Sequence, residues 1–139
     1  MVIMKVVISS KGKSFQKEID GTVFYGKKIG DIVDGSVLGL NKYELEITGG
    51  SDKQGFPMRR GVHGTVRKKI LLSGGVGYRP KRKGVRRRKS IRGEIVSEEI
   101  VQLNLKVIKE EEKSFENILK EIKGDKEEVS KENEEKSNK

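Results

Sequence analysis

The chain has 139 residues, a formal net charge of +10, and no cysteine or tryptophan. Its length predicts one small domain with a modest core, and the lack of cysteine excludes disulfides, thiol catalysis and cysteine-ligated zinc. No apolar run approaches the roughly 20 residues of a membrane-spanning helix. We therefore expect a soluble intracellular protein with no membrane partner. The single histidine, His63, has no carboxylate near it in the sequence, so no metal site is expected.

The positive charge is concentrated in residues 53–92, which we call the basic segment. It holds fifteen of the 31 Lys and Arg residues and no Asp or Glu, so the remainder of the chain is net acidic. A local field of this sign needs a polyanion nearby to neutralise it. The segment lacks the bulky apolar stripe that would bury in a membrane surface. Its composition is therefore more typical of nucleic-acid binding.

The first half of the chain predicts short strands joined by tight turns. Residues 2–8 are branched and apolar and end in a Ser-Ser-Lys-Gly turn, and residues 13–19 follow as a second strand, which together predict a β-hairpin. Residues 26–40 contain four glycines, too many for a stable helix, and are interpreted as a surface loop without a binding role. Residues 43–48 alternate strictly and predict a strand with Tyr43, Leu45 and Ile47 facing the core.

A glycine loop follows that strand and opens the basic segment. Gly50 and Gly55 have the separation of a phosphate-binding loop, but the Lys and Ser or Thr that such a loop needs after its second glycine are missing. Nucleotide binding and a small-molecule substrate are therefore not expected. Asp52 is predicted either to accept hydrogen bonds from its own loop or to hold Arg59 or Arg60. The residues predicted to shape the loop are Gly49, Gly50, Asp52, Gly55 and Pro57.

The second half predicts two more strands and a helix. Residues 85–91 alternate but are basic on both faces, which indicates a strand at the edge of a sheet. Residues 94–108 form the longest strand-like stretch, with Val101, Leu103, Leu105 and Val107 facing inward. Ser114 is a candidate cap for a helix at about 114–123 whose apolar face docks on the sheet. We expect one domain over residues 1–124 and a disordered charged tail at 125–139.

The stretch Ile47-Thr48-Gly49-Gly50-Ser51-Asp52-Lys53-Gln54-Gly55-Phe56-Pro57-Met58 resembles the signature of ribosomal protein six of the archaeal and eukaryotic small subunit. The resemblance continues through Leu71-Leu72-Ser73-Gly74-Gly75, Tyr78-Arg79-Pro80 and the arginine-rich strand, and covers roughly residues 1–108. It implies a mostly β, partly open barrel with glycine-rich loops that binds ribosomal RNA as a structural component of the small subunit in the cytoplasm. Eukaryotic members carry a long basic helix ending in phosphorylated serines. This chain ends in a short acidic tail, so Ser130 and Ser137 are not expected to inherit that role, and the compact form indicates an archaeal member.

The basic segment, on its own residues, also predicts RNA binding. Lys and Arg on loops and an edge strand supply phosphate contacts, and interleaved glycines let the backbone follow an irregular surface. Tyr78 and His63 are the candidates for base stacking, with packing as the alternative for each. The predicted RNA-contacting residues are Lys53, Arg59, Arg60, Arg67, Lys68, Lys69, Arg79, Lys81, Arg82, Lys83, Arg86, Arg87, Arg88, Lys89 and Arg92.

Two other functions are alternatives to RNA binding. A DNA-binding or chromatin protein of β type would carry the same charge, although no helix is predicted in the basic segment to enter a major groove. An enzyme would need convergent titratable groups, and the paired acids Asp31 with Asp34 and Glu98 with Glu99 are interpreted as solvated surface groups. No catalysis and no cofactor are expected. The predicted partners are small-subunit ribosomal RNA and neighbouring ribosomal proteins.

Overall fold

The computed structural model describes residues 2–110 and 115–124, and it is mostly β. The chain divides into two compact units, Met1–Lys109 and Glu110–Lys139. The first holds two 3-10 helices, Gly21–Phe24 and Gly35–Leu38, and two sheets. Its strands are β1 (Ile3–Ser10), β2 (Lys13–Asp20), β3 (Ile32–Asp34), β4 (Glu44–Asp52), β5 (Arg67–Leu72), β6 (Arg87–Arg92) and β7 (Ile100–Lys109).

The larger sheet has five strands in the order β2-β1-β7-β4-β3. β1 and β2 form the predicted antiparallel hairpin, with Ser10 opposite Lys13 at its turn. β7 lies in the middle, parallel to β1 and antiparallel to β4. This curled, half-closed sheet confirms the predicted mostly β, partly open barrel.

The core of the larger sheet comes from the alternating residues of its three central strands. Val6, Leu45 and Leu105 have little or no exposed surface, and Phe24 and Leu38 of the 3-10 helices are also buried. The predicted inward residues Tyr43, which precedes β4, Ile47 of β4, and Leu103, Leu105 and Val107 of β7 are buried as well, while Val101 is only half-buried. Strict alternation therefore identified the core face of both strands, because side chains of a strand point alternately to its two faces.

Two strand boundaries differ from prediction. β4 does not stop at Thr48 but continues through both glycines to Asp52, with register shifts after Ile47 and after Ser51. β7 begins at Ile100, and residues 94–99 outside it form turns and a single bridge of Ile95 to Lys28. Glycine has no side chain that alternates, so the pattern on which the prediction rested ends before the strand does.

The smaller sheet is an antiparallel pair, β5 with β6, formed entirely by the basic segment. The edge position predicted for residues 85–91 is confirmed, although the strand itself begins at Arg87. The pair has its own hydrophobic cluster of Leu72, Tyr78 and Ile91, against which Val62, Ile70 and Val85 pack. This hairpin is therefore held by apolar contacts of its own, apart from the core of the five-stranded sheet.

The second unit contains a helix, α1, at residues 115–124, which confirms the predicted short C-terminal helix. The predicted cap Ser114 and the predicted disordered tail at 125–139 lie outside the described residues. The single domain ending at residue 124 stays a prediction. Neither α1 nor any other described helix is long and apolar enough to cross a membrane.

Candidate nucleic-acid interface

The basic segment presents most of its cations to solvent. Lys89 and Arg59 are half-buried, and Arg92 is buried. The twelve exposed members of the predicted RNA-contacting set are Lys53, Arg60, Arg67, Lys68, Lys69, Arg79, Lys81, Arg82, Lys83, Arg86, Arg87 and Arg88.

The β5–β6 pairing brings cations from distant parts of the segment together. Leu72 stands opposite Arg87, Leu71 opposite Arg88, and Ile70 opposite Lys89. Residues opposite each other in an antiparallel pair lie on the same face, so each apolar residue of β5 has a cation of β6 beside it. The hairpin therefore carries positive charge on both of its faces while keeping Leu72 and Ile91 buried beneath them.

A buried ion pair fixes the base of this hairpin to the end of β4. Asp52 Oδ2 accepts from Arg92 Nε at 3.2 Å and from Arg92 Nη2 at 3.0 Å. The Arg92 side chain also donates to Thr65 O at 3.1 Å and to the Glu99 carboxylate. Arg92, which the sequence groups with the RNA-contacting cations, is only 5% exposed. Its donors are occupied inside the protein, so it acts as an internal tie.

Asp52 also organises the glycine loop. Its Oδ1 accepts from the amides of Gln54 at 3.0 Å and Phe56 at 2.9 Å, which is the first of the two alternatives considered for this residue. The arginine that it holds is Arg92, not Arg59 or Arg60. Burial by itself would raise the pKa of Asp52, but the Phe56 amide, the Arg92 guanidinium and the Gln54 amide outweigh it and lower that pKa below its ordinary value.

The other residues predicted to shape this loop surround Asp52. Pro57 pairs with Ser51 in a single bridge, and its carbonyl accepts from Arg92 N at 3.0 Å. The amide of Gly55 donates to Asp52 O at 3.0 Å. Gly50 lies so close to β7 that a Cβ there would be 2.5 Å from Gln102 O, whereas a Cβ on Gly49 would meet no atom within 4 Å. Of the paired glycines, close packing therefore requires only Gly50.

Arg59 holds the second glycine cluster, residues 73–77. Its Nη1 donates to Gly74 O at 3.2 Å and to Val76 O at 2.8 Å. Gly77 then adopts a φ of 90°, and a Cβ there would lie 2.2 Å from Ile91 Cδ1. Only glycine tolerates both this dihedral angle and this close approach. The turn is therefore fixed on the hairpin's hydrophobic cluster.

One further cation of the set, Arg67, has partners that position it, and a second, Arg60, lies close to the backbone of Gly30. The guanidinium of Arg67 lies 4.8 Å from the centroid of the Phe56 ring, and its Nη1 donates to Gln54 Oε1 at 3.1 Å. Arg60 lies over Gly30, where a Cβ would be 3.3 Å from Arg60 Nη2. Both arginines are exposed, so Arg67 is oriented by its contacts with Phe56 and Gln54 and still reaches solvent.

The two candidates for base stacking differ in exposure. The side chain of His63 is 90% exposed, and its Nδ1 lies 3.1 Å from Glu94 Oε1. Glu94 Oε2 accepts from the Gly61 amide at 3.1 Å. This amide and the His63 ring lower the pKa of Glu94. The His63 ring is thus held at one edge with its faces open, whereas Tyr78 is buried in the hydrophobic cluster.

A cleft opens beside Tyr78, and we call it the Tyr78 cleft. Its volume is about 290 Å³. Lys89 Nζ lies 5.9 Å from the centroid of the Tyr78 ring. No acidic residue is among the described residues that line it, which include Tyr78, Val85, Arg79, Lys81, Arg82, Arg87 and Lys89.

Three residues that organise this surface were missed in the sequence. Phe56 positions Arg67, Glu94 positions His63, and Glu99 joins Asp52 on Arg92. Glu99 was interpreted as a solvated surface acid, and its side chain is indeed 60% exposed, yet it pairs with Arg92. Its partner is seven residues away across a turn, and that of Glu94 is 31 residues away, so no local pattern marks either of them.

Comparison with known proteins places this architecture in a family. Residues 4–120 match the family model described as ribosomal protein S6e. The chain is 53% identical over 118 residues to the small ribosomal subunit protein eS6 of Methanothermobacter thermautotrophicus, covering 83% of this chain and 94% of that one. It is 48% identical over 108 residues to eS6 of Methanocaldococcus jannaschii, covering 78% and 82% of the two chains. With eS6 of Archaeoglobus fulgidus it shares 47% of 122 residues, covering 84% and 95%. The chain therefore belongs to the ribosomal protein S6e family.

Proposed function

We propose that this protein is a non-catalytic structural component of the small ribosomal subunit in the cytoplasm, and that it binds folded ribosomal RNA through the basic segment. Family membership supports the ribosomal role. The RNA-binding surface is supported by the twelve exposed cations of the segment. Neighbouring ribosomal proteins are the further partners that we propose.

The observation that carries the proposal is the separation of charge within the fold. The basic segment forms its own two-stranded sheet, whereas the five-stranded sheet contains acids as well as lysines, and its Glu44 pairs with Lys109 at 3.9 Å. The cations of the hairpin are therefore left to face an external polyanion. Each phosphate that they neutralise releases a counterion, which favours binding at low salt.

The shape of the surface favours folded RNA over duplex DNA. The described part of the basic segment contains no α-helix that would enter a major groove. It presents loops and a two-stranded hairpin, which suit the irregular backbone of folded RNA. The segment has too few exposed aromatic rings for a single-strand stacking platform, and His63 is the more exposed of the two predicted stacking residues. We therefore propose recognition of RNA shape, with Arg92 acting from inside the protein.

The test is equilibrium binding of the full chain to folded small-subunit ribosomal RNA and to duplex DNA of equal length. Salt is varied from about 50 to 200 mM, a range over which six to ten phosphate contacts cost a factor of about 10³–10⁵ in affinity. We expect affinity for both nucleic acids to fall with salt, and a preference for the folded RNA to persist at the upper end. Equal affinities for the RNA and the DNA that are lost together as salt rises would contradict the proposal and favour a general DNA- or polyanion-binding protein.

A further inference from the structure

The Tyr78 cleft differs from the rest of the basic surface because it is concave and has an apolar inner end. Its volume of about 290 Å³ is at the lower limit for small-molecule sites, so a nucleic-acid helix cannot enter it. Tyr78 is 8% exposed and Val85 is half-buried, which makes them the inner wall. The cations Arg79, Arg82 and Arg87 are exposed and surround the opening.

The inner end of the cleft is built rigidly. The Tyr78 amide donates to Gly75 O at 3.2 Å, and Arg59 holds the same turn through two carbonyls. Gly77 packs against Ile91, which has no exposed surface. The aromatic wall is therefore in place before any ligand arrives, which reduces the entropy lost on binding.

The chemistry of the cleft suits one flat, anionic group with hydrogen-bond acceptors. The Tyr78 ring and the aliphatic side chain of Val85 favour contact with a planar apolar group. The ammonium group of Lys89, which has three N–H donors, lies 5.9 Å from the centroid of the Tyr78 ring. The guanidinium groups of the arginines at the opening can each donate two hydrogen bonds to phosphate oxygens. Unpaired bases of folded RNA are commonly turned out of their helix and stacked on aromatic or guanidinium planes.

We propose that the Tyr78 cleft receives a single unpaired nucleotide of the RNA that the basic segment binds. This inference rests on the proposed function and adds one base-dependent contact to a surface of phosphate contacts. The positive surface continues beyond the cleft through Lys83, Arg86 and Arg88, which are all exposed. Such continuity fits a polymer with phosphates on both sides of the inserted base better than it fits a free nucleotide.

The test compares three RNAs of about 20 base pairs. One is fully paired, one carries a single bulged adenosine, and one carries an abasic bulge. We expect the full chain to bind the adenosine-bulged RNA about tenfold more tightly than the other two. Val85→Phe, which fills the cleft, should remove this preference and leave affinity for the paired RNA unchanged. Lys89→Gln should reduce the preference without filling the space.

The matched control is Lys68→Gln, which makes the same charge change on β5 outside the cleft and should weaken all three complexes equally. Circular dichroism checks that each variant is folded. Equal affinity of the unaltered chain for the three RNAs would overturn the cleft proposal alone, as would a preference that survives both cleft substitutions. Competition by 5′-AMP as strong as that by the bulged RNA would assign the cleft to a free nucleotide and also overturn it. Failure to bind any of the RNAs at low salt would instead contradict the proposed function.

Discussion

At the scale of single residues, one carboxylate connects three parts of the chain. Asp52 ends β4, accepts the amides of its own loop and holds Arg92 at the end of β6. Its side chain has no exposed surface, and a buried charge is tolerated only when it is fully paired. The link between the basic hairpin and the larger sheet therefore depends on Asp52 being ionised.

We predict that Asp52→Asn lowers the free energy of unfolding by about 2 kcal/mol at pH 7. This value lies within the range of about 1.5–3 kcal/mol for hydrogen bonds to charged groups. The folded-state pKa of Asp52 is lowered, so its contribution is complete above the unfolded value of about 3.9 and is lost as pH falls through the folded value. The difference between the two proteins should therefore shrink below about pH 4. Urea unfolding over pH 2–7 measures it.

The control for this prediction is Asp34→Asn. Asp34 is exposed and caps a 3-10 helix by accepting from Ser36 N at 3.1 Å, and asparagine caps about as well. Asp34→Asn should therefore lower the free energy of unfolding by less than about 0.5 kcal/mol. A deficit of Asp52→Asn that is the same at pH 2 and pH 7 would show that ionisation of Asp52 is not what stabilises this link.

At the scale of elements, β4 shows how a strand uses glycine to approach its neighbour. A Cβ on Gly50 would meet the Gln102 carbonyl of β7, while Gly49 has open space beside it. Neither residue has a positive φ, so the difference between them is purely steric. β4 can approach β7 this closely at position 50 only because glycine has no side chain.

We predict that Gly50→Ala lowers the free energy of unfolding by about 1–3 kcal/mol, because the carbonyl that it meets belongs to a central strand and cannot move freely. Gly49→Ala is the matched control. It removes the same freedom from the unfolded chain without a clash, so it should raise stability by up to about 1 kcal/mol. Urea denaturation of both variants measures the contrast, and equal losses would refute the steric distinction.

The elements that could be predicted are those with a local pattern in the sequence. The β1–β2 hairpin follows from a branched apolar run and the turn that ends it, the inward face of β4 from strict alternation, and the edge position of β6 from a strand that is basic on both faces. The continuation of β4 through Gly49 and Gly50 could not be predicted, since glycine carries no pattern. The start of β7 was placed too early because Ile95 and Val96 are apolar but lie in a turn region that packs against residues 26–30.

The candidate interface could be predicted in composition but not in detail. Arg88 and Arg92 look alike in the sequence, yet one is exposed and the other is buried. What separates them is Asp52, 40 residues away from Arg92, and a contact of that separation leaves no local signal. The Tyr78 cleft was unpredictable for the same reason, since its walls come from a turn and a strand that meet only in the folded hairpin.

At the scale of the whole molecule, charge is divided between a basic hairpin and a sheet of mixed charge. We predict that replacing Arg86, Arg87 and Arg88 together by Gln weakens binding to folded ribosomal RNA on the order of a hundredfold near physiological salt. It should also reduce the slope of log affinity against log salt by nearly three. All three side chains are exposed, so the unfolding midpoint should be unchanged. Filter binding across salt measures the affinity and the salt slope. A thermal melt measures the unfolding midpoint.

The charge-matched control replaces Lys5, Lys106 and Lys109 of the five-stranded sheet by Gln. These lysines are exposed as well, and the net charge falls by the same amount. We expect a much smaller loss of affinity and an unchanged salt slope. If both triple variants lose affinity equally, the protein binds RNA through its net charge and not through the hairpin.

The central position of β7 also determines when this protein can fold during its synthesis. β7 separates β1 from β4 in the sheet, yet the ribosome makes it after both strands and after the whole basic segment. Until β7 emerges, β1 and β4 lack their shared neighbour, and Glu99, the second carboxylate on Arg92, follows the hairpin in the chain. Pairings of such long sequence separation form late. The basic segment, with its fifteen Lys and Arg residues, is therefore synthesised before the scaffold that shapes it is complete.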